Sequence, residues 1–64
     1  MQIAPEVLEL EELAKTASVP LGKALRKAGV ASSTYWRWRH DGKWPSTKTV
    51  GKIRTAIEEL AVAA

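Results

Sequence analysis

Residues 21–42 read LGKALRKAGVASSTYWRWRHDG, and this stretch decides the fold. At ~100° per residue, Leu21, Ala24, Leu25 and Ala28 lie on one side of a helix, and Lys23, Arg26 and Lys27 lie on the other. Gly29 stops that helix, because glycine enters the left-handed region without a Cβ clash. Hydroxyls at Ser32, Ser33 and Thr34 then mark a second start, either at Ser32 or at Ala31 with its hydroxyl neighbours behind it; one of them is expected to cap. The second helix runs to about His40 and stops at Asp41-Gly42. Tyr35 and Trp38 point one way on its wheel, whereas Ser33, Trp36, Arg37 and His40 point the other. The result is a short helix, a tight glycine-containing turn, and a helix with an aromatic inner face and a polar, cationic outer face.

The flanks extend the same reading. Pro5 suits a first helical turn, and Ile3, Val7, Leu10, Leu13, Ala14 and Ala17 form an apolar stripe, with Glu9 and Glu12 opposite and Leu8 half exposed. Ser18 reads as the N-cap of the following helix, with Pro20 in its first turn. Beyond residue 42, Lys43-Trp44-Pro45 is a loop in which Trp44 reads as a lid on the small core. Ser46 caps a last helix whose stripe is Val50, Ile53, Ala56, Ile57 and Leu60. Val62 falls off that stripe, and the end Val62-Ala63-Ala64 reads as a frayed tail or part of a dimer seam. No segment alternates as a half-buried strand does. The expectation is one all-α domain over residues 1–64, a compact bundle of four helices, or five, with helices at about 5–17, 20–28, 32–40 and 47–62.

Composition bounds the function. The chain has 64 residues, 45% hydrophobic and 27% charged, with a net charge of +3. That describes a folded, soluble, mildly basic chain with a thin core. Without cysteine there is no disulfide scaffold, thiolate zinc site or cysteine nucleophile. The longest apolar run, Leu60 to Ala64, is far below the ~20 residues of a membrane span, and the N-terminus is acidic where a signal peptide is basic. A cytoplasmic location is expected. The charge is also unevenly placed. The first twelve residues hold Glu6, Glu9, Glu11 and Glu12 and no base, whereas all ten bases lie between Lys15 and Arg54 with one acid, Asp41, among them, a net +9 over forty residues. Either a phosphate-binding surface or a plain solvated surface leaves such a basic body between acidic ends.

The spacing of residues 20–40 matches a helix-turn-helix, in which one helix braces a second that is narrow enough for the ~12 Å major groove. The run LGKALRKAGVASSTYWRWRHDGKWPSTKTVGKIRTAI resembles the phage-repressor class, the Cro/XRE or lambda-repressor-like type. The likeness rests on Ala24-Leu25 before Gly29-Val30, Ser33-Thr34 opening the next helix, Trp38 before Gly42, and Pro45-Ser46 leading to Thr49-Val50 and Lys52-Ile53, and it covers about residues 19 to 60. Leu21 stands where the family often has glutamine, and Asp41 lengthens the following loop by one residue. The resemblance implies a transcriptional regulator of phage or mobile-element origin that binds a near-palindromic operator in double-stranded DNA as a homodimer. It implies base contacts from Ser32, Ser33, Trp36, Arg37 and His40, and phosphate contacts from Lys23, Lys43, Ser46, Thr47 and Lys48. Thr34 joins the phosphate group as a hydroxyl at a helix N-terminus.

Two other readings compete. STYWRWRHDGKWP also resembles an excisionase or MerR-like winged helix-turn-helix, which needs strand pairing after Pro45. A small helical protein-binding module, antirepressor- or antitoxin-like, would use Trp36 and Trp44 as anchors. Catalysis is not expected, since no nucleophile is paired with a base and His40, the one histidine, has no orienting partner. No cofactor or metal is expected either, because His40 has only Asp41 and scattered glutamates for company. Arg39, nearer the inner edge, reaches either a phosphate or a glutamate of the first helix.

Overall fold

Pro5 opens the first helix because its missing N–H is one that a helix start leaves unpaired anyway. The computed structural model describes residues 3–63. It contains α1 (Pro5–Thr16), α2 (Leu21–Lys27), α3 (Ser32–His40) and α4 (Thr47–Ala63). Among the described residues there is no strand, so the pairing that a wing after Pro45 requires is replaced by α4. No helix among them is long and apolar enough to cross a membrane.

One core joins the elements. Val7, Leu10 and Ala14 of α1 meet Val50, Ile53, Ala56 and Ile57 of α4, and Ala24 and Leu25 of α2 close the third side. Ile53 and Ile57 are fully enclosed, at 0% exposure. Burial of such a side chain contributes ~1.5–3 kcal/mol, so these two anchor the long helix. Glu9 with Arg54 at 3.7 Å and Lys27 with Glu59 at 3.9 Å add exposed ion pairs along the α1–α4 and α2–α4 seams, each worth little in water. The protein measures 35 × 21 × 17 Å.

Left-handed residues end the first three helices. Gly29, at φ 79°, ends α2 as expected: its N–H donates to Arg26 at 3.1 Å, and that of Val30 donates to Leu25 at 2.8 Å. Gly42, at φ 69°, follows α3. The third is Ser18, at φ 57°. Its N–H donates to the Lys15 carbonyl at 3.1 Å and that of Val19 donates to Ala14 at 2.8 Å, while Val19 is buried over Ala14. Ser18 therefore closes α1 and does not cap α2, whose N-cap is Pro20 without a side-chain bond. The two helices are too close for serine to serve both.

The starts differ as well. Ala31 is the N-cap of α3 and offers no side-chain bond, so none of the hydroxyls expected to cap does so; Ser32, Ser33 and Thr34 sit inside the first turn. Ser46 does cap α4: its Oγ accepts the Thr49 N–H at 3.2 Å and shares a 2.9 Å bond with the Thr49 hydroxyl. The C-terminal segment, read as a frayed tail or part of a dimer seam, is helical to Ala63, with Val62 86% exposed; Ala64 lies outside the described residues.

Candidate nucleic-acid interface

The two sides of α3 differ sharply. Trp38 is 5% exposed and Tyr35 packs half-buried beside it, edge to face at 6.1 Å between ring centres. On the other side Ser32, Ser33, Thr34, Trp36, Arg37 and His40 are all exposed. Trp36 and His40, one turn apart, stack at 4.5 Å with their planes 26° from parallel. The two rings form one aromatic step on the exposed side of the helix, the side that also carries Arg37. That surface offers hydroxyls, a guanidinium, ring N–H donors and an aromatic face, the repertoire that reads base edges and thymine methyls.

α3 is also tied to α1. The Tyr35 hydroxyl donates to Glu11 Oε2, and Arg39 Nη1 donates to Glu11 Oε1 at 3.1 Å. Of the two partners open to it in sequence, Arg39 is seen on the glutamate of α1. Burial first, then the hydrogen bond to Glu11 and its negative charge, push the Tyr35 phenol well above its ordinary value near 10, against a smaller opposite pull from Arg39. The hydroxyl thus stays a donor.

Three of the ten bases sit in ion pairs, namely Lys27, Arg39 and Arg54. The other seven, Lys15, Lys23, Arg26, Arg37, Lys43, Lys48 and Lys52, make none with the described residues. Every lysine expected to contact phosphate is in this second group. Lys48 borders a shallow groove with Lys27, Gly51 and Lys52, between α2 and the first half of α4. Lys23 borders another groove, with Pro20, Leu60 and Ala63, at the far end of α4. Lys23 and Lys48 thus border different grooves of the surface. Lys43 is exposed in the loop before α4, as are Ser46 and Thr47 at its start, with the Ser46 hydroxyl already engaged in its cap.

Some placements depart from expectation. Trp44 is 57% exposed and is not among the residues packed on the core, so it does not act as a lid. The His40 ring lies on Trp36, a stack that the sequence did not announce. Sequence reasoning also missed Arg26, which borders one groove with Gly22, Ala31 and Ser32, beside the uncapped start of α3. The signal was available: Arg26 lies on the polar side of α2, a few residues before the turn. Glu11 was missed for a different reason, since it meets Tyr35 across 24 residues of chain and only the fold brings them together. Compared with known proteins, the chain matches no family model, no curated protein and no solved structure.

Proposed function

We propose that this protein binds double-stranded DNA in a sequence-specific manner as a transcriptional regulator, with α2, its glycine turn and α3 acting as a helix-turn-helix. The observation that carries this reading is the division of α3: Trp38 and Tyr35 are spent on attachment, while Ser33, Trp36, Arg37 and His40 are left outward. In this reading α3 enters the major groove, where Arg37 pairs with a guanine edge and the Trp36–His40 step lies against a thymine methyl or sugar. Lys43 and Lys48 on one side and Lys23 on the other hold phosphates, helped by Thr34, Ser46 and Thr47. Arg26 of α2, which borders a groove with Ala31 and Ser32, joins this phosphate group. Two copies would read half-sites about one helical turn apart. The resemblance of residues 19–60 to Cro-type repressors points the same way.

Selection of bound sequences from a random duplex pool tests this. The expected winners share a motif with twofold symmetry, and log affinity falls linearly with log salt as phosphate neutralisation requires. A pool that returns no motif removes the reading.

The exposure of Trp36 and Trp44, 55% and 57%, favours one competing reading, a protein-binding module with these indoles as anchors. A contact of that kind depends much less on salt.

A further inference from the structure

α3 has few attachments. Trp38 is its one buried side chain, and Tyr35 leans on Trp38 from the surface. Apolar packing of this kind is non-directional, so it resists removal of the helix from the body better than rotation of the helix about its own axis. The remaining attachment is directional. Tyr35 and Arg39 are one turn apart on the edge of α3, and each donates to a different oxygen of the same carboxylate, Glu11, held on α1. A carboxylate gripping two points a turn apart fixes both the roll of the helix and its slide along its axis.

Small rotations matter here. A side chain ~6 Å off a helix axis moves ~1 Å for a 10° roll. A recognition constellation needs its groups held within about 0.5 Å and 10–20°. Ser33, Trp36, Arg37 and His40 all ride on that roll.

We propose that Glu11 is a positioning residue that sets the roll of α3 and thereby which of its outward side chains meet base edges. This rests on the duplex-reading function proposed above. It gives a specific task to one member of the acidic N-terminal block, which charge alone would assign to balancing the basic body. Glu11 touches no nucleic acid in this scheme; it acts through Tyr35 and Arg39.

Two measurements on the full chain test it, with Glu11→Ala and with Tyr35→Phe, which keeps the ring on Trp38 and guards against a variant that fails to fold. The first uses no nucleic acid. Residual dipolar couplings of the α3 amides vary periodically along the helix, and the phase of that variation reports its roll relative to α1, α2 and α4. A changed phase or a reduced amplitude is expected in α3 alone, larger for Glu11→Ala than for Tyr35→Phe. Couplings that fit the wild-type orientation overturn the proposal. The second compares affinity for the selected duplex with that for random duplex. Glu11→Ala is expected to reduce the ratio about tenfold or more, the scale of hydrogen bonds to a charged group, while random-duplex affinity does not fall, since no lysine has changed. An equal loss on both duplexes, or an unchanged ratio, marks a merely structural role and overturns it. Should the wild-type chain prefer no duplex at all, the duplex reading fails by itself, and the couplings still decide whether Glu11 sets the roll.

Discussion

The seam between α1 and α4 and the attachment of α3 are built to different standards. Along the seam Val7, Leu10, Ile53 and Ile57 are buried almost completely, and Ser46 caps the start of α4 with its side chain. α3 has no side-chain cap, one buried residue and a half-buried tyrosine, and a two-pronged bond to a carboxylate of another helix. Buried apolar contact is concentrated in one region, and the exposed polar and aromatic side chains proposed to meet DNA lie in the other. A domain this small has little apolar surface to bury, so a helix that turns six exposed residues outward must be held by few, specific contacts.

This contrast can be broken in order of expected effect. Trp38→Ala removes the one buried anchor of α3 and is expected to cost ~3–5 kcal/mol by chemical denaturation. Ile53→Ala, in the seam, is expected to cost ~2–5 kcal/mol, yet the variant, while folded, keeps wild-type duplex preference. A loss of preference from Ile53→Ala at a temperature where it is fully folded would erase the division between the regions. Arg37→Ala is expected to do the reverse: unchanged thermal stability, with a loss of ~1–3 kcal/mol in binding that is confined to one base pair of the site. Lys48→Ala should weaken all duplexes alike and lower the salt slope by about one. Ser18→Gly, in the turn that closes α1, relieves a left-handed serine and is expected to raise stability by ~0.5–1 kcal/mol.

A pH titration sharpens the same contrast. The folded-state pKa of Tyr35 is raised, so its contribution is fully present below the ordinary phenol value near 10 and is lost as pH rises above it. Denaturation midpoints of the wild type should therefore fall more steeply above pH ~10 than those of Tyr35→Phe. Parallel curves would show that the Glu11 bond does not stabilise the protonated phenol.

Most of the helical framework was legible from residues alone. The bounds at 5–17, 20–28, 32–40 and 47–62 lie within one residue of the observed helices, because local signals determine them: apolar stripes, glycines after Ala28 and Asp41, and the serine before Thr47. Ser18 was misread because serine suits both a helix start and a left-handed stop, and only the Val19–Ala14 hydrogen bond distinguishes the two. Trp44 was misread because an indole beside proline says nothing about which way a loop leaves the body. The outward face of α3 was legible from its period. Its tie to Glu11 was not, since Arg39 had two partners available in sequence and the choice between them is tertiary.

The three indoles give the chain its own optical reporters. Trp38 is shielded at 5% exposure, whereas Trp36 and Trp44 face water at 55% and 57%. Emission should therefore divide into a blue-shifted component from the interior and a red-shifted one from the surface. Unfolding would shift the first, and a partner settling on α3 would quench the Trp36 share of the second while leaving the first in place. A single unlabelled sample could then distinguish loss of fold from occupancy of the face.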